Sequence, residues 1–478
     1  MFETSVAWPR VGRREMLALG VLLGLGALLL GRHLSTPSLE FDEGVYLGSA
    51  DLLGTGLQLG RDVFSSQPPL FFALLDFVNR AGGGSLAVLH GMTVGVALAG
   101  VLTGWALVRG IAGPFPAMVA AGMVLLAPGV VDAAAVVSPD VPSVALGTAA
   151  LLAARAARIR PAWGAAAGAL ICCALLVKLL AVPFALALAV AAILNRPSRR
   201  AILWFGAGAL AVLSAVGVAY ADVFGELWSD AVGLHLRARG AAVALPHASI
   251  ASEVALIVTG YAGILAALAI GLLHIPRAEL GNWARARTDL LATLAFGVLL
   301  VAVNRPLLHH HLVVVAWPLA LIAASTLPTR VPARALAAAV VGCTLLVPWA
   351  VHGRDTVEGK SSDSTQAVAD VVRSATKDND PVVSDLPLVP LLADRAPATA
   401  TVDPSAVRIG TGSLDRQDIL DAAEHSGAVV VGRAFALVPG LCHELKQRYG
   451  APDVVDGVRV YLTERAPASR GGTPVRDA

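Results

Sequence analysis

Two adjacent carboxylates, Asp42 and Glu43, follow the first long apolar stretch of the sequence, in "LEFDEGVYLG". Ionised groups beside a membrane span are costly to desolvate, so a pair at this position calls for an explanation. On a helix, neighbouring residues point about 100° apart, and the two side chains cannot face the same way. One can then face a cavity while the other anchors the loop or meets a substrate. The alternative is that both are solvated or cap a helix.

A basic cluster occurs far along the chain, in "NRPLLHHHL", with Arg305 followed by His309, His310 and His311. Contiguous histidines on a helix point in different directions, so they form a poor metal triad, for which i, i+4 spacing would be better. Arginine and histidine suit a phosphate group or sugar hydroxyls instead. Arg237, in "HLRARG", offers a further phosphate partner. The other interpretation of the histidines is a polar belt at the membrane interface.

The composition indicates which class of protein must position these groups. Apolar residues make up 56% of the chain and charged residues only 15%, whereas soluble proteins carry about 25% charged residues. The sequence therefore predicts an integral membrane protein. A net charge of +2 argues against a nucleic-acid partner. The four cysteines do not indicate a disulfide framework, because three of them lie inside apolar segments.

Apolar runs of spanning or nearly spanning length predict about eleven transmembrane helices. The first run has a basic flank but no small-residue cleavage site after it, which indicates a retained span and not a signal peptide. Two of the runs meet at Lys178 and could form one broken helix. The runs lie at about 15–33, 85–108, 115–136, 141–154, 162–177, 179–195, 201–221, 251–274, 288–303, 311–327 and 333–350.

The distribution of basic residues predicts how the chain is oriented in the cell membrane. With the N-terminus inside, the proposed cytoplasmic segments up to residue 350 hold fifteen arginines, against seven arginines or lysines in the outer segments. Cytoplasmic loops carry an excess of Lys and Arg, so this bias favours a cytoplasmic N-terminus. Asp42 and Glu43 are then predicted to lie on the outer face.

Residues 1–350 are predicted to form the transmembrane domain, and its first outer loop, 34–84, is long for a connector. The segment "FDEGVYLGSADLLGTG" predicts a short helix that carries Asp42. Pro68 and Pro69 would start a second, apolar helix, since proline is tolerated in a first helical turn. Both helices are expected along the outer membrane interface.

After residue 350 the sequence becomes polar and mixed in character. Helical spacing in "STQAVADVVRSA", "DILDAAEH" and "GLCHELKQRYG" alternates with the strand-like runs "PVVSD", "GAVVVG" and "VRVYL". Residues 351–465 are therefore predicted to form a small α/β domain, which an odd number of spans places outside the cell. Residues 466–478 are predicted to be disordered.

The first outer loop carries a family resemblance. An Asp-Glu pair soon after the first span, followed by "GRDVF" and "QPPLFF", resembles the GT-C membrane glycosyltransferases, in the branch with protein O-mannosyltransferases and lipid A aminoarabinose transferases. The resemblance covers the spans to about residue 327. It implies an α-helical, polytopic GT-C-like fold with outer-face juxtamembrane helices, a polyprenyl-phosphate sugar as donor, and an acidic residue of this loop as base.

Carried across by position, Asp42 matches the catalytic carboxylate and Glu43 its neighbour. Asp140, in "VVSPDVPS", matches a second acidic residue expected at the outer end of a later span; the alternative is a helix cap. Lys178, in "LLVKLLAVP", matches an expected lysine and is one of only four lysines against 32 arginines; it could instead snorkel to the interface. An arginine expected near the start of the second full span is replaced by His90.

The resemblance also gives the remaining site residues and leaves the donor sugar open. The polar residues of the same loop element are predicted to line the acceptor side: Tyr46, Arg61, Asp62 and Gln67. Donor phosphate binding is predicted for Lys178 together with the basic residues described above, Arg237, Arg305, His309, His310 and His311. The region after residue 222 resembles the family only loosely, so the identity of the sugar is not transferable.

These placements predict inverting transfer of a hexosyl or pentosyl group from a polyprenyl-phosphate donor to a cell-envelope glycan, glycolipid or protein. The donor carries its own leaving group, so the reaction needs a base for the acceptor hydroxyl and cations for the departing phosphate. Asp42 would be the base. The scheme requires no metal or other cofactor. Two other classes stay open: a lipid-linked sugar transporter or flippase, and a non-catalytic envelope scaffold.

Overall fold

The computed structural model of the chain describes residues 11–32, 34–36, 40–238, 260–303, 309–327, 341–342, 344–345 and 362–463. Short 3₁₀ or π segments join several helices, at Leu179–Ala181, Ser229–Gly233, Arg277–Glu279 and His309–Leu312. The helices of the first part of the chain are α1 (Arg13–Gly31), α2 (Phe41–Gly54), α3 (Pro69–Ala81), α4 (Leu86–Ala112), α5 (Pro114–Leu126), α6 (Pro128–Ala134), α7 (Asp140–Ala156), α8 (Trp163–Val177), α9 (Val182–Asn195), α10 (Arg199–Ala219), α11 (Phe224–Trp228), α12 (Leu234–Ala238), α13 (Ala262–Leu273), α14 (Leu280–Ala286), α15 (Thr288–Val303) and α16 (Val313–Ser325).

Several of these helices have the length and hydropathy to cross a bilayer. Within the described residues α1, α4 and α10 qualify alone, and two bent pairs qualify together, α5 with α6 at 61° and Ala262–Leu273 with Arg277–Ala286 at 103°. Four further apolar helices are shorter: Trp163–Val177, Leu179–Asn195, Thr288–Val303 and His310–Ser325. The apolar runs at 251–274 and 333–350 lie partly outside the described residues, so the number of about eleven spans stays a prediction.

Glycines allow α8 and α10 to pack with their backbones in contact. A Cβ atom at Gly168 would lie 2.0 Å from the carbonyl oxygen of Phe205, and one at Gly208 would lie 2.0 Å from that of Ala165. No larger residue fits at either position, and small residues are the usual means by which membrane helices approach closely. This packing fixes α8, whose C-terminal end leads directly into Lys178.

The first outer loop contains two helices, α2 and α3, as predicted. α3 begins at Pro69, which supplies a helical φ and lacks an N–H that would have no helical partner there. Tyr46 of α2 packs edge-on against Phe71 and Phe72 of α3, with ring centroids 5.1 and 6.0 Å apart. The aromatic contacts hold α2 against α3 and so set the position of the acidic residues on α2.

The C-terminal residues form an α/β unit around a four-stranded sheet. Its strand order is β1-β2-β4-β3, with β1 parallel to β2 and the other pairs antiparallel. The short edge strand β3 was not predicted, because three residues that include an aspartate give a weak strand signal. The elements are α17 (Ser362–Ala375), β1 (Val382–Ser384), α18 (Leu388–Leu392), α19 (Ala406–Gly410), α20 (Arg416–Glu424), β2 (Ala428–Val431), α21 (Leu441–Tyr449), β3 (Asp453–Val455) and β4 (Val458–Leu462).

The α/β unit packs against α2 through two glycines one helical turn apart. A Cβ atom at Gly44 would lie 2.8 Å from the Cβ of Pro387, and one at Gly48 would lie 3.2 Å from the Cγ of Pro397. Since α2 and the α/β unit touch, they lie on the same side of the membrane. The prediction that both are extracytoplasmic is consistent with this contact.

Candidate active site

Glu43 of α2 has no exposed surface. Its Oε1 atom accepts a hydrogen bond from the backbone N–H of Val137, 3.1 Å away, and contacts Nε2 of His90 on α4. The other ring nitrogen of His90, Nδ1, lies 2.8 Å from the carbonyl oxygen of Leu34. A carbonyl only accepts hydrogen bonds, so Nδ1 carries a proton and Nε2 faces the carboxyl group. Glu43, predicted as a catalytic candidate, is therefore fully buried and ties α2 to two other elements.

Asp42 points in a different direction from Glu43, as adjacent helix residues must. Its side chain is 33% exposed, and its Oδ2 atom lies 3.5 Å from Nε2 of His310. The ring of His310 meets that of His311 edge-on, with centroids 4.6 Å apart. The Asp-Glu pair thus contains one buried carboxylate and one accessible carboxylate, and the accessible one contacts the predicted basic cluster.

Asp140 and Lys178 form a buried ion pair. Asp140 is the first residue of α7, and Lys178 follows α8 with an extended backbone that interrupts the helical path. The Nζ atom of Lys178 donates a hydrogen bond to Oδ1 of Asp140 at 2.8 Å, and the two side chains are 7% and 2% exposed. Lys178 therefore points into the protein and does not snorkel to the interface.

Glu40, which was not among the predicted site residues, belongs to the same acidic region. It directly precedes α2 and is partly buried. Burial, followed by the negative charges of Asp42, Glu43, Asp132 and Asp140, raises the pKa of Glu40 to about 8. Glu40 therefore lies within electrostatic range of all four carboxylates. The available signal in the sequence was its position two residues before Asp42 in "LEFDE".

We expect Glu40→Gln to stabilise the protein at pH 8 and to leave its stability unchanged at pH 4. The pKa of Glu40 rises from 4.5 to about 8 on folding, so between these values the unfolded chain gives up its proton first and the folded state loses stability. Glutamine cannot ionise and escapes this loss. The measurement is the melting temperature of the detergent-solubilised protein at both pH values, with the exposed Glu279→Gln as control. A Glu40→Gln variant that melts no higher than the wild type at pH 8 contradicts the expectation.

Basic side chains from three elements meet near the carboxylates. His311 lies within electrostatic range of His310, Lys178 and His235. His235 of α12 is held at 3.1 Å from the carbonyl oxygen of Ser66, which belongs to the first outer loop. The structure thus brings α12, the end of α8 and the 3₁₀ segment His309–Leu312 to the same region.

The other predicted phosphate-binding residues are less informative. Arg237 is exposed on α12. Arg305 lies outside the described residues, and so does the side chain of His309. Across the described ranges no group of three or more His, Cys, Asp or Glu side chains is arranged to hold a metal ion.

The predicted acceptor-side residues separate into two groups. The hydroxyl of Tyr46 lies close to the side chain of Gln67 and within electrostatic range of Asp42 and Asp140. In contrast, Arg61 is more than half exposed and forms an ion pair at 3.0 Å with Asp222, in the loop after α10. Asp62 accepts the backbone N–H four residues earlier at 2.8 Å. The contacts of Arg61 and Asp62 are those of a surface turn, whereas Tyr46 and Gln67 lie nearer the acidic residues; the acceptor-side assignment of all four stays a prediction.

Known proteins share this architecture. Residues 66–220 match the model of the dolichyl-phosphate-mannose-protein mannosyltransferase family. The structure of ArnT from Cupriavidus metallidurans bound to undecaprenyl phosphate has a TM-score of 0.68 to this chain at 13% identity, over 94% of this chain and 98% of that one. This chain has the GT-C fold. The resemblance inferred from the Asp-Glu pair and the "QPPLFF" segment is confirmed.

Two further GT-C structures are similar over most of the chain. The archaeal oligosaccharyltransferase AglB from Archaeoglobus fulgidus, in complex with an inhibitory peptide and a dolichol-phosphate, has a TM-score of 0.55 at 12% identity, over 87% of this chain and 69% of that one. The arabinofuranosyltransferase AftD from Mycobacteria has a TM-score of 0.52 at 16% identity, over 94% of this chain and 40% of that one. No curated protein sequence matches this chain. At these identities the solved structures show the fold alone.

Proposed function

We propose that this GT-C chain is an integral membrane glycosyltransferase that moves a sugar from a polyprenyl-phosphate donor to an extracytoplasmic cell-envelope acceptor. One observation carries the proposal: the accessible carboxylate of Asp42 contacts His310 in the same region as the buried Asp140–Lys178 pair. Transfer from a phosphate-linked sugar requires a base and positive groups side by side. The lipids bound by ArnT and AglB, undecaprenyl phosphate and dolichol-phosphate, support the donor class.

Exposure and hydrogen bonding favour Asp42 as the base. Glu43 is fully buried, and its carboxyl group contacts His90. Asp140 is 2% exposed, and one of its oxygens accepts from Lys178. Asp42 is 33% exposed, so an acceptor hydroxyl can reach it. In the proposed reaction Asp42 takes the hydroxyl proton, the hydroxyl oxygen attacks the anomeric carbon opposite the phosphate, and the configuration inverts.

The leaving phosphate is assigned to the basic side of the site. An ammonium group has three N–H donors, and Asp140 accepts one of those of Lys178. The donor phosphate can therefore share Lys178 with Asp140 without breaking the ion pair. His310 and His311 would supply further donors to the phosphate oxygens. We propose no metal or cofactor in this scheme.

The domain assignment follows the same proposal. Residues 1–350 hold the donor lipid and the reacting groups, with the N-terminus in the cytoplasm. The α/β unit within residues 351–465 lies outside the cell beside α2 and serves the acceptor.

The proposal is tested with the purified chain in lipid vesicles and a panel of synthetic polyprenyl-phosphate sugars. Release of free polyprenyl phosphate together with a glycosylated product, inverted at the anomeric carbon by NMR, is the expected result. Movement of intact donor across the vesicle membrane without cleavage would indicate a transporter. A product with retained configuration would exclude direct attack by an acceptor hydroxyl that Asp42 activates.

We expect the double variant Asp140→Asn/Lys178→Met to raise the KM for the donor by about tenfold or more, with the KM for the acceptor little changed. A hydrogen bond to a charged group is worth about 1.5–3 kcal/mol, and the variant removes one from the phosphate. Changing both partners avoids an orphaned buried carboxylate, which would destabilise the fold. Lys446→Met, on α21 of the α/β unit, is the control. An unchanged donor KM would remove Lys178 from the site.

A further inference from the structure

The α/β unit faces α2 with the end of its sheet at which the parallel strands β1 and β2 have their carboxyl termini. After β1, Pro387 and Leu388 lie so close to Gly44 that a Cβ atom there would come within 2.8 Å of each. After β2, Arg433 places its Cζ atom 5.1 Å from the ring centroid of Phe41, the first residue of α2. In open α/β sheets, ligands bind beyond the carboxyl ends of the strands. Here that end of the sheet faces the helix that carries the proposed base.

A buried carboxylate fixes the segment that follows β2. Asp385 comes directly after β1 and has no exposed surface. Its Oδ1 atom accepts from the backbone N–H of Gly432 at 2.7 Å, and its Oδ2 atom from those of Arg433 and Phe435 at 2.7 and 2.8 Å. Burial raises the pKa of Asp385, and the three hydrogen bonds oppose that shift. A buried carboxylate is costly unless it is satisfied in this way, and this one binds the backbone of residues 432–435.

The side chain that this segment presents is a cation beside the first turn of α2. Arg433 is exposed, and its guanidinium lies over Phe41, the residue before Asp42. Lys178, in contrast, is buried between α7 and α8. The region therefore contains one buried cation, Lys178, and one exposed cation, Arg433. A planar guanidinium can stack on a ring and still bind a phosphate or carboxylate through its N–H edge.

We infer that Arg433 is an acceptor-specificity residue that binds an anionic group of the acceptor, a phosphate or a carboxylate, and holds the acceptor hydroxyl towards Asp42. Asp385 acts through the backbone of residues 432–435 and is a positioning residue. The inference rests on the proposed function and gives the acceptor a chemical class, a glycan or glycolipid that carries a negative charge near the hydroxyl to be glycosylated.

The experiment compares three acceptor probes in the vesicle assay: an alkyl glycoside, the same glycoside with a phosphate monoester, and the corresponding glycuronic acid. The wild type should prefer one or both anionic probes. Arg433→Ala should raise the KM for the preferred anionic probe by about tenfold or more, leave the KM for the donor unchanged, and spare the neutral probe. Arg433→Lys should recover part of the preference, and Asp385→Asn should act in the same direction as Arg433→Ala. Arg459→Ala, an exposed arginine of β4, is the matched control.

The outcomes separate the inference from the proposed function. If the wild type releases polyprenyl phosphate but uses neutral and anionic probes equally, the inference is overturned and the glycosyltransferase proposal stands. A donor KM that rises in Arg433→Ala, or an anionic preference that survives it, also overturns the inference. If the wild type releases no polyprenyl phosphate from any donor with any probe, both fail. The phosphate and carboxylate probes distinguish the two kinds of anion.

Discussion

Replacement of Asp42 by asparagine should lower sugar transfer by about 10²–10⁴-fold, which is the usual contribution of a positioned general base. The amide keeps the shape of the carboxylate but cannot take a proton from the acceptor hydroxyl. Expression and donor binding should survive, because Asp42 is a third exposed and its contact is with His310 at 3.5 Å. The measurement is the initial rate of product formation in vesicles at saturating donor, with donor binding determined separately.

Two substitutions make this test specific. Asp51 lies on the same helix, α2, at an exposed position. As the control, Asp51→Asn should leave the rate of transfer close to that of the wild type. Asp140→Asn separates the two candidate bases. If Asp42→Asn keeps near-normal transfer while Asp140→Asn abolishes it, the base is Asp140 and the assignment to Asp42 is wrong.

Local sequence patterns were enough to predict the elements that present the site. The prolines before "LFFALL" predicted the start of α3, and the structure begins that helix at Pro69. The β-branched run in "GAVVVG" predicted a buried strand, and β2 occupies Ala428–Val431. These signals are local because helix starts and buried strands depend on residues within a few positions. The choice of Asp42 as base came from the family resemblance and did not follow from local pattern.

The partners of the site residues could not be predicted in the same way. Glu43 and His90 are 47 positions apart, and no periodicity within either helix indicates which long-range neighbour a polar side chain finds. The contact between α2 and the α/β unit had a visible signal, the glycines one turn apart in "GVYLG", but the surface that covers them comes from residues near 390. Asp385 looked like one of several scattered acids in the sequence, because its three partners are backbone N–H groups, which leave no mark in side-chain patterns.

Replacement of His90 by alanine should lower the free energy of unfolding by about 3–5 kcal/mol, the usual cost of breaking a buried ion pair by removing one partner. Glu43 is fully buried, and His90 is 2% exposed. One proton lies between Nε2 and Oε1, so the pair is neutral as a unit whether it is imidazolium with carboxylate or imidazole with carboxylic acid. Alanine removes the partner and leaves the acidic group in an enclosed site. The measurement is reversible unfolding in mixed detergent micelles, with the exposed His274→Ala as control.

Substitutions of Glu43 distinguish this pair from simple loss of packing. Glu43→Gln should cost less than His90→Ala, because a glutamine leaves no buried acid behind and its amide oxygen can still accept from Val137 at the position of Oε1. The double variant Glu43→Leu/His90→Leu should also be more stable than His90→Ala, since it leaves no buried acid behind. Equal losses in all three variants would show that volume and not charge is what matters at this position. Because Glu43 fixes the rotation of α2, and with it the direction of Asp42, His90→Ala should also lose sugar transfer under conditions where it remains folded, whereas Glu43→Gln should keep most of it.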